Sequence, residues 1–447
     1  MGMGIYKNFY FALGVLPMAS NHARQPQYYD NELEQRQRRS NSLQREQKEQ
    51  RTQKKRKISA QEKSHVHVGS MDYTIYIVVT ILVLIGVVMV FSASYVTTGN
   101  RERFGFDPFF FLRRNIIFAL LGFVLMNAIA RVSYELIKPF VYIIYAVTIG
   151  LLVAVMIIGV ASGGAIRWLP MPVIGQFQPS EVAKAAMIFM MAFLVEKHPN
   201  ALASWKGFFT FSAIVGVMTA LVFYGGFSSA LIVGAIGFGM IFVASPYLWR
   251  FIFAAGGAVA SIVGYLMLMS MRLGEATEEG IRGGFRGARF DAWLDPFADP
   301  LNHGFQIVQS LYAIASGGWF GLGIGRSRQA SFVPEAHNDI IFAIIVEELG
   351  FVGASMILLL FGVFIWRGII VAINAPDTFS SMVAIGVVFS IALQAVINIA
   401  VVTNAIPNTG VTLPFISFGG TSLIVSMALT GVLLSISKYT KIKTTGS

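Results

Sequence analysis

The chain has 447 residues, 55% of them hydrophobic and 13% charged, with a mean hydropathy of +0.65. Those values exclude an ordinary soluble domain and point to an all-α polytopic membrane protein. The absence of cysteine excludes disulfides, thiolate metal sites and a cysteine nucleophile. The net charge of +11 does not imply nucleic acid, because much of the excess sits in one segment.

That segment comes early. Residues 21–70 carry twelve Lys/Arg against six Asp/Glu, centred on Arg51-Thr-Gln-Lys-Lys-Arg-Lys57. The stretch is nearly free of aliphatic residues and is expected to stay disordered. Residues 1–70 are therefore read as a basic cytoplasmic extension and 71–447 as the transmembrane domain. A topological anchor attracted to anionic membrane lipid is the simplest role for the extension; partner binding is the alternative, and nucleic acid is not expected. The apolar run from Phe9 to Pro17 imitates a signal peptide, but exporting the basic segment behind it would violate the positive-inside rule.

Apolar runs near the ~20 residues needed to cross hydrocarbon are predicted at 72–94, 115–131, 138–160, 180–196, 206–223, 226–244, 248–271, 339–366, 379–402 and 415–437. The boundary between the fifth and sixth is marked only by Tyr224-Gly-Gly226. With these ten spans, the extension and Arg131, Lys138, Lys197, Lys206, Arg250, Arg367, Lys438, Lys441 and Lys443 share one side, so both termini are expected in the cytoplasm. Arg101, Arg103, Arg113 and Arg114 fall on the outer side, where cations meet phosphate.

The longest connection, 272–338, faces outward and exceeds what joining two helices requires. Leu301 to Ser316 has helix-compatible spacing, and Gly317-Gly-Trp-Phe-Gly-Leu-Gly-Ile-Gly325 reads as a glycine-dense turn that dips back to membrane depth. Such backbone is tolerated only where protein buries it or where it lines a water-filled cavity.

This connection also holds the densest chemistry. Asp291, Asp295 and Asp299 recur every four residues, a spacing that on a helix would suggest a metal site, but Pro296 and Pro300 oppose a helix there. Asx turns are the structural alternative for Asp-Pro. Downstream, Asn338 or Asp339 suits a helix cap, while Glu347 and Glu348 fall inside a span, where an acid is a functional candidate by default. In Gln178-Pro-Ser-Glu-Val-Ala-Lys184, Ser180 suits a cap and Glu181 a local pair with Lys184; a cation at a membrane edge also suits an anionic ligand. P-loop, HExxH and GxSxG signatures are missing.

Several of these segments together resemble the SEDS family (shape, elongation, division and sporulation). They are Trp293-Leu-Asp-Pro-Phe-Ala-Asp-Pro300, Gly304-Phe-Gln-Ile-Val-Gln-Ser310, Pro334-Glu-Ala-His-Asn-Asp339, Glu347-Glu-Leu-Gly350, Gln178-Pro-Ser-Glu181 with Lys184, and Pro407 to Gly420. Arg326-Ser-Arg-Gln329 and Gly410-Val-Thr-Leu-Pro414 are more similar to the division and sporulation branch, FtsW and its relative, than to the elongation protein RodA. Two elements depart from the family pattern: Asn302-His-Gly-Phe-Gln306, and Gly225-Gly-Phe-Ser-Ser229, which lacks the usual proline and polar residue.

The resemblance implies a ten-helix peptidoglycan glycosyltransferase. It would polymerise lipid II outside the cytoplasmic membrane, with a class B penicillin-binding transpeptidase and other division proteins as partners. The family's essential aspartate falls at Asp299, read here as the general base for the acceptor hydroxyl. Arg113, Arg114, Arg167, Lys184 and Arg289 are the candidate diphosphate partners, and Glu181, Gln309, Glu335 and His337 join them as substrate-binding candidates. A divalent cation, magnesium or manganese, is the expected helper for the leaving diphosphate. One evident carboxylate favours inverting displacement. A flippase using the same cavity, with Glu347 or Glu348 coupled to ions, and a scaffold of the division complex are the alternatives.

Overall fold

A computed structural model describes residues 66–99, 106–162, 165–171, 175–247, 249–251, 292–302, 304–333 and 335–441. Most of the basic extension, most of the span expected at 248–271, and Arg101, Arg103, Arg289 and Asp291 lie outside the described residues.

The described part is a helical bundle. Its helices are α1 (Tyr73–Gly99), α2 (Phe110–Arg131), α3 (Val141–Ile158), α4 (Pro179–Lys197), α5 (Trp205–Gly225), α6 (Phe227–Ala244), α7 (Phe305–Gly317), α8 (Ile341–Asn374), α9 (Thr378–Val402) and α10 (Gly420–Ser437). Eight are long and apolar enough to cross a membrane, and the chain is a multi-pass membrane protein. The runs predicted around Tyr224-Gly-Gly226 separate at Gly226, where α5 ends and α6 begins.

The remaining long helix, α4, is the polar one, with Glu181, Lys184, Glu196 and Lys197 in nineteen residues. Fourteen of those residues are buried, because α3, α5, α6, α9 and α10 surround it. A helix wrapped in protein does not have to be lipophilic, and α4 is the axis of the bundle.

Two short sheets close the ends. β1 (Val66–Val68) pairs antiparallel with β5 (Tyr439–Lys441), joining the two ends of the described chain. Here the polar contacts are ion pairs: Asp72 with Arg367 at 2.6 Å, and Lys138 with Glu196 at 2.8 Å and Asp377 at 3.3 Å. Asp377 also caps α9 by accepting from the Ser380 amide at 2.7 Å. Arg250 is buried, donating to the carbonyls of Leu202, Ala203 and Ser204.

At the opposite end, β2 (Val160–Ser162), β3 (Ala165–Met171) and β4 (Gly175–Phe177) form an antiparallel sheet with β3 central. Beside it lie the 292–304 loop, α7, the 318–340 loop and the 403–419 loop. They are tied by Trp293 Nε1 to the Asn404 carbonyl at 3.1 Å, Asn408 Nδ2 to Gln306 Oε1 at 2.9 Å, Ser310 Oγ to the Val402 carbonyl at 2.9 Å, and the Phe418 amide to the His337 carbonyl at 2.9 Å.

One helix is broken. In α8, Gly350 sits at φ 71°, in the left-handed region, and the loop after α7 fills the gap. The Leu322 and Gly323 amides donate to the carbonyls of Glu347 and Glu348 at 2.9 Å each, while the Phe351 and Val352 amides donate to Gly318 and Trp319 at 2.9 and 3.1 Å. The fit is close on both sides: a Cβ on Gly350 would stand 2.4 Å from the Gly321 nitrogen, and one on Gly321 2.2 Å from the Glu348 carbonyl oxygen. The glycine-dense turn therefore does enter the protein, satisfied by the broken helix.

That break moves the two acids. Phe351 to Asn374 is roughly 24 residues, about 36 Å at ~1.5 Å per residue, which suffices to span hydrocarbon alone. Glu347 and Glu348 then belong at the outer boundary rather than well inside the span. Their carboxylates are fully buried and hold the loop: Glu348 accepts from Ser92 Oγ at 2.6 and 2.7 Å and from the Ser327 amide at 3.2 Å. Glu347 accepts from the Ser327 hydroxyl and from the amides of Arg328 and Gln329 at 3.0 and 3.4 Å.

Candidate active site

The candidates that fall among the described residues lie toward the end of the bundle opposite the β1–β5 sheet. Asp299 sits in a loop that folds back on itself before α7. The Gly304 amide donates to the Asp299 carbonyl at 3.0 Å, and Asn302 Nδ2 donates to the Asp299 carboxylate at 2.9 Å. Gly304 has no room for a side chain there, since a Cβ would lie 2.3 Å from the Pro296 carbonyl oxygen. Asp299 is half-buried. Asp295 takes the Asx-turn alternative, its carboxylate accepting the Phe297 amide at 3.2 Å. Among the described residues no three acidic or histidine side chains gather as metal ligands.

The cations are distributed and mostly committed. Arg113 is exposed and ion-paired with Asp107, and Arg114 lies over the Phe110 ring at 5.3 Å. Lys184 is buried, 2.7 Å from the Glu181 carboxylate and 2.6 Å from Gln394 Oε1. The i, i+3 pairing expected of these two is present, and it lies in the core, where removing one partner strands the other charge. The Ser180 hydroxyl does not cap α4; it accepts from Gln178 Nε2 at 2.9 Å.

Arg167 joins this group through a small cleft. It lines the cleft with Ser180, Tyr224 and Ser229, and the free space of about 10 Å³ is the size of one water. The Arg167 Nε is buried without a hydrogen-bond partner among the described residues, an arrangement that calls for a water or an anion. The unusual Gly225-Gly-Phe-Ser-Ser229 segment contributes Gly225 and Ser229 to the same cleft.

On the other flank, His337 is buried, its ring 4.0 Å from that of Phe111 and 5.5 Å from that of Phe418. Burial pushes its pKa down to about 3, so the ring is neutral. Glu335 is exposed at φ 58° and accepts from Asn338 Nδ2 at 3.0 Å. Neither Asn338 nor Asp339 caps α8, whose first residue follows Ile340 with no side-chain cap. Instead Asn398 Nδ2 bridges the carbonyls of Asp339 and Val411 at 2.7 Å each. Gln309 is half-buried on α7. Asn398, Asn404 and Gln394 were not candidates from sequence, because a polar residue in an apolar span carries no local sign of what it will meet.

The fold and this polar end define a class of protein: a polytopic membrane protein with a group of polar loops at one end. Within that class the assignment is specific. Residues 72–442 match the FtsW/RodA/SpoVE family of cell cycle proteins, and the chain belongs to that family. Stage V sporulation protein E of Bacillus subtilis (strain 168) is 39% identical over 390 residues, covering 83% of this chain and 98% of the relative. The probable peptidoglycan glycosyltransferase FtsW of Geobacter sp. (strain M18) is 37% identical over 375 residues, with 83% and 97% covered. Among solved structures, a chain of a peptidoglycan synthase complex superposes with a TM-score of 0.64 at 26% identity, covering 82% of this chain and 97% of that one. RodA of Thermus thermophilus gives 0.57 at 22%, with 82% and 96% covered, and shares the fold.

Proposed function

We propose that the chain is a peptidoglycan glycosyltransferase that polymerises lipid II at the outer face of the cytoplasmic membrane during septal wall synthesis. Family membership supports the activity, and the observation that carries the site is the half-buried Asp299 carboxylate, steadied by Asn302 at 2.9 Å in a loop pinned by Trp293 and Gly304. Both termini are cytoplasmic in this reading. Lys138, Lys197, Arg250, Arg367 and Lys438 gather at the end that carries β1 and β5, as the positive-inside rule asks.

Asp299 takes the proton of the acceptor sugar's 4-hydroxyl. The oxygen's electron pair attacks the donor's anomeric carbon from the face opposite the leaving group, and the C1–O bond breaks with its electrons going to the polyprenyl diphosphate. Configuration inverts. Arg113, Arg114, Arg167 and Arg289 supply positive charge for that diphosphate, with Glu181 and Gln394 fixing where Lys184 presents its own. His337, being neutral, serves as a hydrogen-bond partner for sugar, and Gln309 and Glu335 complete the substrate contacts. A magnesium or manganese ion would be held chiefly by diphosphate oxygens, as is usual for magnesium. The partner is a class B penicillin-binding transpeptidase within the division machinery.

A flippase is less well supported, because the acids that would couple it to ions are occupied in holding the 318–331 loop. Purified protein with its transpeptidase and labelled lipid II decides between them. Glycan polymer is expected; transbilayer movement of lipid II without polymer overturns the proposal.

A further inference from the structure

The 318–333 loop carries two charges, Arg326 and Arg328, and both side chains are exposed. Neither forms an ion pair among the described residues. The acids bonded to this loop, Glu347 and Glu348, are buried and spend their oxygens on its amides and hydroxyls: the Arg328 amide on Glu347, the Ser327 amide on Glu348, and the Gly325 amide on Ser92, which itself bonds Glu348. The backbone that carries the two arginines is therefore fixed, and residues 318–333 include no acidic side chain.

Depth and composition say what meets that surface. The loop is bonded to α8 at the point where the membrane-crossing part begins, so it lies at the level of lipid head groups. The same loop exposes Trp319, Phe320, Ile324 and Phe332, with exposures of 69%, 82%, 60% and 64%. The Trp319 ring packs against that of Phe351 at 5.3 Å. Exposed aromatics and arginines on one rigid loop are the pattern of an interfacial anchor. The two arginines lie on the loop that follows α7, whereas Asp299 lies on the loop that precedes it.

We propose that Arg326 and Arg328 form an outer-leaflet binding site for the phosphodiester head group of an anionic phospholipid, held in place by Glu347 and Glu348 and flanked by Trp319 and Phe320 for the acyl chains. The site is independent of the glycosyltransferase reading.

The test uses the purified full chain and native mass spectrometry, titrating phosphatidylglycerol against phosphatidylcholine with the same acyl chains. Wild type is expected to take up one phosphatidylglycerol in preference. R326Q/R328Q should lose roughly 30-fold in that affinity, on the scale of surface lipid cations, and R326K/R328K should retain most of it. Brominated phosphatidylglycerol should quench fluorescence that the Trp319→Phe variant lacks. A preference unchanged in R326Q/R328Q overturns the proposal, as does equal binding of the two lipids by wild type. So does displacement of the bound phosphatidylglycerol by stoichiometric undecaprenyl diphosphate, which would assign the arginines to the substrate lipid instead.

Discussion

Replacing Gly350 by alanine should expel the 318–323 loop from α8. Two effects act together. A non-glycine residue in the left-handed region costs ~1–2 kcal/mol, and the new Cβ would stand 2.4 Å from the Gly321 nitrogen and 2.5 Å from the Trp319 carbonyl oxygen. The simplest relief is for α8 to close into a continuous helix, which forfeits the loop's hydrogen bonds at Glu347, Glu348, Phe351 and Val352. Those bonds are worth ~0.5–1.5 kcal/mol each, and the healed helix recovers part of them. A net loss of about 3 kcal/mol for the docked loop follows, or roughly a 100-fold change in its open population. Hydrogen exchange read by mass spectrometry measures this directly at the amides of Leu322 and Gly323, whose protection should fall by about that factor. Unchanged protection in Gly350→Ala would refute the reasoning.

Lys184→Met should lower stability by about 3–5 kcal/mol by stranding buried Glu181, and adding Glu181→Gln should recover part of the loss; a thermal-melting double-mutant cycle checks both. His337 provides a pH test. Its folded pKa of about 3 lies below the ordinary histidine value, so its contribution is full above ~pH 6.5 and is lost as pH falls from there toward 3, by about 2 kcal/mol at pH 5. His337→Phe should therefore flatten the decline in melting temperature between pH 7 and 5, and an unaltered slope would contradict the neutral assignment.

How far the sequence reached depended on the range of the interaction. Spans such as Thr378–Val402 and Phe227–Ala244 follow from a run of apolar side chains, a local quantity, and their observed ends fall within a residue or so of the prediction. The Glu181–Lys184 pair was legible because three residues on a helix fix the geometry. The break at Gly350 was not, because Glu-Glu-Leu-Gly reads as uninterrupted helix until a loop thirty residues upstream supplies the competing hydrogen bonds. For the same reason Glu347 and Glu348 read as working acids, and the hydroxyls of Ser92 and Ser327 that occupy them are distant in sequence. The three-stranded sheet at 160–177 was also missed, although Gly163-Gly164 between apolar runs is a recognisable hairpin signal. Asp291, Asp295 and Asp299, by contrast, stood out together as carboxylates in an apolar chain, where such a group without a reason is costly, and only the family resemblance picked Asp299 among them.

The account rests on Asp299 acting as a base, and the direct measurement is the rate of lipid II polymerisation by Asp299→Asn in complex with its transpeptidase. Asparagine keeps the size and a hydrogen-bonding partner for Asn302 but has no basic oxygen. Polymerisation should fall at least ~100-fold, the lower end of what general-base catalysis supplies, with melting temperature and lipid II binding retained. Polymerisation at the wild-type rate by a folded Asp299→Asn protein would contradict the account.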